Sequence, residues 1–227
     1  MTFVIPSKFL RNHPNVLALG APADVGLTLV DYMCRRIGVA DLSGRDVLDF
    51  GCGTRFADML MNRTVPLRSY TGIDVQPAMI DFLATEATDP RLGFHRWDAR
   101  NPMYNPSGAA MTAETPLPVG DRSFDLICMF SVITHQLPED ARVLFAILRR
   151  YVRPNGRLFF SVCIDDQAGV DYYEKQPDKP TGLSAYSSAY LLRLLGETGW
   201  RVLSWVPPNP EGLPILDSFL CEPVDRQ

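Results

Sequence analysis

Short apolar runs alternate with amphipathic helical segments along most of this chain, and this alternation is what most constrains its fold. Val25, Leu29, Met33 and Ile37 recur every four residues, as on one face of a helix. Strand–helix alternation predicts an α/β fold whose doubly wound parallel sheet is covered by helices on both faces. The predicted strands are 46–50, 70–73, 92–97, 124–130, 158–164, 200–206 and 215–221, and the predicted helices are 25–37, 56–61, 77–83, 138–152 and 187–197.

The size and composition of the chain narrow the classes of protein it can be. Its 227 residues predict one domain over 1–227, with an N-terminal extension (1–24) and two irregular segments (101–122 and 166–188) as substrate-side loops. A net charge of −4 without a Lys/Arg stripe argues against a nucleic-acid partner. The longest apolar stretch, 126–133, is too short to span a bilayer, so no membrane partner is expected. Five cysteines without a C-x-x-C pair, and no clear signal peptide, predict a cytoplasmic protein.

A glycine-containing turn follows the first predicted strand. Gly51 and Gly53 flank Cys52 and allow the backbone to turn sharply and to approach a ligand. The third glycine of a dinucleotide fingerprint is missing, because Phe56 stands at its position. Asp49 beside the turn would repel a pyrophosphate and would favour a ligand with an ammonium or sulfonium group. The turn therefore favours a cationic nucleoside ligand.

Acidic residues follow the next two strands. Asp74 stands about 20 residues beyond the glycine turn, where an acid binds the ribose hydroxyls of an adenosine. The alternative is that Asp74 caps the helix that begins at Pro77. Asp98 follows the third strand and can accept a hydrogen bond from an adenine amino group, or it can simply form a turn. In a parallel sheet these acids and the glycine turn meet at one edge.

Together these motifs resemble the class I S-adenosylmethionine-dependent methyltransferases, over roughly residues 25–164 and including 117–125 and 149–158. The resemblance implies a Rossmann-like seven-stranded sheet whose last strand is antiparallel. It implies S-adenosylmethionine as cofactor and S-adenosylhomocysteine as product. The family often has a third glycine where Arg55 stands, so we expect Arg55 to crowd or re-route the turn. The cofactor-binding residues that the resemblance implies are Asp49, Gly51, Cys52, Gly53, Asp74, Val75, Asp98, Ala99, Phe130 and Ser131.

The residues after the fourth strand carry the best catalytic candidate. His135 titrates near neutrality when unperturbed and can accept a proton from a hydroxyl acceptor. Its segment, 131–135, resembles the Ser-Val-Phe-Thr-His stretch of bacterial methyltransferases that act on small molecules or sugars. The alternative is that His135 only packs before the next helix. Rings stack well on aromatic or sugar acceptors, and the two irregular segments supply Tyr104, Tyr172 and Tyr186 as candidate substrate contacts, unless these segments are ordinary exposed connections.

These patterns predict an enzyme that methylates a hydroxyl of a small molecule or glycan by in-line transfer, without a metal, as a monomer or homodimer. Base methyltransferases carry an Asn/Asp-Pro-Pro-aromatic run after the fourth strand, whereas residues 130–133 read Phe-Ser-Val-Ile. Two other functions stay open from the sequence. One is an NAD(P)-dependent oxidoreductase on a similar sheet, and the other is a catalytically inactive S-adenosylmethionine-binding protein.

Overall fold

The structure, a computed structural model, describes residues 2–10, 20–176, 178–179 and 181–224. Its helices are α1 (Pro22–Ile37), α2 (Arg55–Asn62), α3 (Pro77–Glu86), α4 (Pro138–Arg149) and α5 (Ser188–Glu197). Its strands are β1 (Leu42–Phe50), β2 (Leu67–Asp74), β3 (Leu92–Arg96), β4 (Phe124–Met129), β5 (Val152–Ile164), β6 (Tyr172–Glu174), β7 (Ser184–Tyr186), β8 (Trp200–Val206) and β9 (Asp217–Pro223). Every predicted helix and strand has a counterpart among these elements.

The main sheet has the predicted doubly wound topology. Strands β3, β2, β1, β4 and β5 lie side by side in that order and run parallel. Strand β9 pairs antiparallel with β5, and β8 pairs antiparallel with β9 at the edge. The predicted seven-stranded sheet with an antiparallel final strand is thereby confirmed. Because the chain leaves β1 in one direction and returns to β4 on its other side, the switch point lies between the carboxyl ends of β1 and β4.

Two apolar cores lie on opposite faces of the sheet. The first contains the inward faces of α1, α2 and α3, with Met33, Met59 and Leu83 at its centre. The second contains α4 and α5, and there the indole N–H of Trp200 donates to the Phe145 carbonyl at 3.0 Å. This arrangement buries both faces of the parallel strands and leaves the carboxyl ends of the strands to form a site.

Two features were not predicted from the sequence. The hairpin β6–β7 lies inside the predicted loop 166–188, and β7 extends the sheet by pairing parallel with the end of β5. Strand β5 begins at Val152, where the sequence pattern predicts the end of a helix. Between the pairs Phe124↔Val152 and Leu126↔Arg157 the longer strand bulges, and a Cβ at Gly156 would stand 2.9 Å from the Phe124 carbonyl oxygen. Pro, Asn and Gly at 154–156 therefore form a tight bulge rather than a helix terminus.

The N-terminal extension packs onto the first core. The Phe3 N–H donates to Asn62 Oδ1 at 2.9 Å, and the rings of Phe3 and Phe82 stack with centroids 5.8 Å apart. Helix α1 begins at Pro22, so the segment before the first long helix is shorter than the predicted extension of 24 residues. Residues 11–19 of that extension lie outside the described residues. Among the helices of the described ranges, none combines the length and the apolar character needed to cross a bilayer.

Candidate active site

The turn after β1 is fixed to the end of β2 by three hydrogen bonds. The backbone N–H groups of Gly51 and Cys52 both donate to the Ile73 carbonyl, at 2.8 and 3.0 Å. The Gly53 N–H donates to Asp74 Oδ2 at 3.0 Å. Gly51 and Gly53 have φ values of +70° and +51°, which L side chains rarely adopt. The two glycines therefore permit a turn that joins the ends of two neighbouring strands.

The two glycines have different surroundings. A Cβ on Gly51 would lie 2.5 Å from Val132 Cγ2, so the segment after β4 fills the space above this residue. A Cβ on Gly53 would meet nothing within 4 Å, so the turn is open there. Gly51 is required by packing as well as by backbone conformation, whereas Gly53 leaves a bare stretch of backbone that a ligand can approach.

Asp74 is buried at the end of β2, with both carboxylate oxygens engaged by backbone N–H groups. Oδ2 accepts from Gly53, and Oδ1 accepts from the Gln76 N–H at 3.1 Å. Asp74 is not the cap of α3, since the N-cap residue is Gln76, which forms no side-chain cap hydrogen bond. A carboxylate offers about four lone-pair directions. Oδ1 also accepts a long hydrogen bond from Gln76 Nε2 at 3.4 Å, so about one lone-pair direction of Asp74 remains for a ligand.

Asp49 is a buried carboxyl group below the turn. Its Oδ2 accepts from the Tyr70 hydroxyl at 2.7 Å, and its Oδ1 accepts from the Cys128 thiol at 3.7 Å. Burial raises the pKa of Asp49 to about 7, against the opposing effect of these hydrogen bonds and of the Arg55 charge, while the Asp74 charge adds to the increase. Asp49 can therefore change its charge near neutral pH.

Arg55 follows the glycine turn directly, and whether it re-routes the turn relative to other members of the family stays a prediction. It is the first residue of α2, and Thr54 provides the transition from the turn into the helix. Its side chain is partly buried and lines the cavity at the carboxyl ends of the strands. Within the described part of the chain, Arg55 has no ion-pair partner within 4.0 Å.

His135 lies in a short 3-10 helix (Ile133–His135) after β4, and its ring is held by the loop between β6 and β7. Its Nδ1 lies 2.8 Å from the Thr181 carbonyl oxygen. Because a carbonyl can only accept, Nδ1 carries the proton of the neutral ring and Nε2 carries the basic lone pair. The Tyr104 ring meets the imidazole edge-on, with centroids 5.5 Å apart. Asn101 links the two residues, because its amide N–H donates to the His135 carbonyl and its Oδ1 accepts from the Tyr104 N–H.

Two non-glycine residues of the site adopt a left-handed backbone conformation. Thr181 has φ +55°, and its N–H donates to Glu174 Oε1 at 2.8 Å, which holds its carbonyl towards His135. Ser131 has φ +57°, and its N–H donates to Ser161 Oγ at 2.8 Å. Such conformations cost about 1–3 kcal/mol each and are typical of functional sites. Ser131 is tied to β5 by its hydrogen bond, since Ser161 belongs to that strand.

One cavity of about 810 Å³ unites these groups at the carboxyl ends of the strands. The loop 101–122 and the loop between β6 and β7 both contribute walls, and Ile5 and Phe9 of the N-terminal extension do so too. The predicted residues that line the cavity are Asp49, Gly51, Cys52, Gly53, Asp74, Val75, Ala99, Tyr104, Phe130, Ser131 and His135.

The cavity also has lining residues that the sequence analysis missed. Ser161 is the one polar residue in the middle of an apolar strand pattern, which was a usable signal. Tyr32 projects from α1, and its hydroxyl bonds with Ser218 Oγ at 2.7 Å. Lys179 comes from the loop between β6 and β7. Tyr32 and Lys179 reach the site only through the tertiary fold, so no local sequence pattern predicts that they line it.

Three predicted site residues lie outside the cavity lining, and their assignments are corrected. Asp98 is exposed, and its Oδ1 accepts from the side chains of Arg96 at 3.2 Å and of Asn105 at 3.0 Å. Tyr186 is 1% exposed, and its hydroxyl donates to the Gln136 carbonyl at 2.7 Å. Tyr172 packs against Tyr186 and bonds to Ser184 at 3.2 Å. Tyr186 thus supports the segment after β4, and Tyr172 packs behind Tyr186 instead of lining the cavity.

Comparison with known proteins agrees with this architecture. A family model described as a methyltransferase domain matches residues 28–204. A phthiotriol/phenolphthiotriol dimycocerosates methyltransferase of Mycobacterium leprae is 28% identical over 151 residues, covering 66% of this chain and 50% of the relative. The chain thus spans about half the length of the curated relatives it matches. The glycopeptide N-methyltransferase MtfA, complexed with S-adenosylmethionine, has TM-score 0.56 at 16% identity, over 88% and 93% of the two chains.

A second solved structure has the same fold. It is 1,6-didemethyltoxoflavin-N1-methyltransferase from Burkholderia thailandensis, with TM-score 0.57 at 19% identity, covering 93% of this chain and 82% of that one. Sheet topology, glycine turn and strand-end acid define the class I methyltransferase fold. The chain belongs to this family of S-adenosylmethionine-dependent methyltransferases. The predicted family is thereby confirmed.

Replacing Gly51 by alanine tests whether packing against Val132 fixes the turn. Gly44→Ala is the matched control, because Gly44 has φ +68° and a Cβ there would meet nothing within 4 Å. We expect Gly44→Ala to cost about 1–2 kcal/mol of unfolding free energy from backbone conformation alone. Gly51→Ala should cost about 1–3 kcal/mol more, because the methyl group collides with Val132. Denaturant unfolding measures both values.

A double-mutant cycle with Val132→Ala isolates that contact. The Gly51→Ala variant should lose less stability in the Val132→Ala background than in the wild type. Equal losses for Gly44→Ala and Gly51→Ala would contradict the steric account.

Proposed function

We propose that the protein transfers a methyl group from S-adenosylmethionine to a hydroxyl oxygen of a small-molecule or glycan acceptor, with His135 as the general base. The observation that carries this proposal is the hydrogen bond from Nδ1 to the Thr181 carbonyl. It leaves the basic lone pair on Nε2 in a side chain that lines the same cavity as the glycine turn.

The residues of the cavity fit the cofactor. The open backbone at Gly53 and the carboxyl group of Asp49 suit the methionine end, which carries an ammonium group. Asp74 can accept one ribose hydroxyl on its remaining lone pair, and a second in place of the long 3.4 Å contact from Gln76 Nε2. Val75 and Ala99 provide apolar walls for the adenine, and Asp98 has no part in that contact because it lies outside the lining. When bound, the cofactor supplies a methyl group already activated by its sulfonium.

Phe130, Cys52 and Ser131 complete the proposed cofactor site. Cys52 is buried behind the turn, and its N–H bond to Ile73 fixes the backbone that the methionine part would follow. Phe130 packs edge-on against Phe56, with centroids 5.3 Å apart, and forms a wall next to the methionine part. Ser131 lies two residues after the end of β4, and its left-handed conformation sets the direction of the segment that carries His135.

His135 would accept the proton of the acceptor hydroxyl at Nε2. The resulting imidazolium keeps its Nδ1–H bond to the Thr181 carbonyl, whose partial negative charge stabilises the positive ring. The Tyr104 ring fixes the plane of the imidazole. Alignment of the hydroxyl with the methyl group would supply the rest of the rate enhancement, because positioning alone can lower the activation barrier by several kcal/mol.

The cavity walls restrict the acceptor more than the relatives' names do. The named relatives and neighbours act on a dimycocerosate lipid, a glycopeptide and a toxoflavin precursor, which share no common acceptor chemistry. In this chain the surface beyond Phe130 includes Phe159, Leu216 and Tyr32, so it is apolar with isolated hydroxyls. We infer a compact acceptor with an aromatic or sugar ring. Family membership favours methyl transfer over the oxidoreductase alternative, and turnover separates an enzyme from an inactive binding protein.

Asp74→Ala tests the ribose contact. We expect the affinity for S-adenosylhomocysteine to fall about 100-fold, because two hydrogen bonds to a charged group are lost. Asp98→Ala is the control, since the sequence alone gives the two acids similar roles but Asp98 is exposed outside the cavity. It should change the affinity less than about 3-fold on the same account. Isothermal titration calorimetry measures both, and similar losses in the two variants would refute the assignment.

His135→Ala tests the general base. We expect turnover on a hydroxyl acceptor to fall about 10²–10⁴-fold. Affinity for S-adenosylhomocysteine should stay within a factor of about 3, since His135 lies on the acceptor side. Acceptors are found by screening phenols and sugars for transfer of a labelled methyl group. His95→Gln is the control, because His95 lies in β3 outside the cavity lining. Unchanged turnover in His135→Ala would remove the proposed role.

The pKa of Asp49 predicts a pH-dependent cofactor affinity. Only the ionised carboxylate attracts the ammonium of the methionine end, and burial raises this pKa to about 7. The affinity for S-adenosylhomocysteine should therefore rise with pH, by about 5- to 10-fold between pH 6 and pH 8. In Asp49→Asn the slope should disappear. A flat profile in the wild type would contradict contact between Asp49 and the ammonium group.

A further inference from the structure

We propose that Arg55 binds the α-carboxylate of S-adenosylmethionine and makes the site selective for ligands that carry the amino-acid end. The proposal rests on the proposed cofactor site and extends it to a residue where the family often has glycine. It assigns Arg55 as a specificity-determining residue for the cofactor, next to the acid that would receive the α-ammonium group.

The position of Arg55 is fixed by the packing of two helices. Helix α1 approaches the first turn of α2 so closely that a Cβ on Gly26 would lie 2.7 Å from Met59 Cβ and 3.2 Å from the Arg55 carbonyl oxygen. The backbone of Arg55 therefore has little freedom, and its side chain leaves α2 directly at the end of the glycine turn. Arg55 lines the same cavity as Asp49 and Gly53.

The charges around Arg55 match an amino acid. Asp49 and Arg55 influence each other's pKa through their charges, yet their charged atoms do not come within 4.0 Å. A ligand with an ammonium and a carboxylate on one carbon fits between two such groups of opposite sign. The other cations of the cavity lining within the described residues, Arg100 and Lys179, are exposed and belong to the acceptor-side loops.

The cost of holding Arg55 there also favours a ligand. Burial lowers the pKa of Arg55, and Asp49 only partly opposes this, but a guanidinium stays charged in proteins. A partly buried charge without a partner is unfavourable. Within the described residues no carboxylate comes within ion-pair distance of Arg55, so its charge is not used to hold the fold together. A carboxylate from the ligand would supply the missing partner in bidentate geometry.

Truncated ligands test the proposal by calorimetry on the full chain. S-adenosylhomocysteine carries both amino-acid charges, 5′-(3-aminopropyl)thioadenosine lacks the carboxylate, and 5′-methylthioadenosine lacks the whole amino acid. Arg55→Gln should weaken S-adenosylhomocysteine roughly 10- to 100-fold and leave both truncated ligands within about 2-fold. Arg55→Lys should recover part of the lost affinity, because lysine keeps the positive charge but lacks the planar guanidinium that binds a carboxylate through two hydrogen bonds.

Arg63→Gln is the matched control at the other end of α2. Arg63 is exposed and pairs with Asp24 at 3.0 Å, so all three affinities should stay unchanged. Thermal unfolding of each variant verifies that it folds. Because no acceptor is present, the titrations also separate the cofactor carboxylate from a carboxylate on the acceptor. An acceptor-binding role would leave S-adenosylhomocysteine unaffected by Arg55→Gln, and that result overturns the proposal.

Three other results would also overturn it. Parallel losses for all three ligands in Arg55→Gln would mean that Arg55 only shapes the turn. Equal wild-type affinities for S-adenosylhomocysteine and 5′-methylthioadenosine would mean that the amino-acid end contributes nothing, while the cofactor site itself would stand. If the wild type binds none of the three ligands, the proposed cofactor function fails together with this inference.

Discussion

A single carbonyl oxygen, that of Ile73, holds the turn on which the rest of the site depends. It accepts the N–H groups of Gly51 and Cys52, and the next residue along, Asp74, accepts the N–H of Gly53. These bonds force the chain away from β1 with two left-handed residues, which is why glycine is needed at both positions. The same bonds orient Asp74. The turn and the ribose-binding acid are therefore one hydrogen-bonded unit.

Electrostatics explains why this unit suits a cationic nucleoside. Asp49 and Asp74 are both buried at the edge of the sheet, and the charge of Asp74 helps to raise the pKa of Asp49. Such a pair is unfavourable in the absence of positive charge. The positive charge of Arg55 partly balances the negative charge of the two carboxylates, and an ammonium or sulfonium group of a ligand would balance it further. A phosphate-bearing dinucleotide would increase the repulsion, in agreement with the missing third glycine at Phe56.

The sequence predicted those parts of the fold that local patterns determine. Apolar runs such as 124–130 and glycines beside Asp49 carry their signal within a few residues. The hairpin β6–β7 was not predicted because its strands have only three residues each and are stabilised by pairing with the end of β5. Tyr186 was misassigned because the sequence alone does not distinguish a tyrosine that faces a ligand from one that packs in the core. The bond from His135 to Thr181 spans 46 residues, and no local pattern predicts it.

A crystal structure of the protein with S-adenosylhomocysteine tests the central claim most directly, namely that one cavity brings a methyl donor to His135. The account predicts both ribose hydroxyls on the Asp74 carboxylate, the amino-acid end over Gly53, and the sulfur exposed to the space beside Nε2 of His135. A ribose bound away from Asp74, or a sulfur separated from His135 by protein, would contradict it.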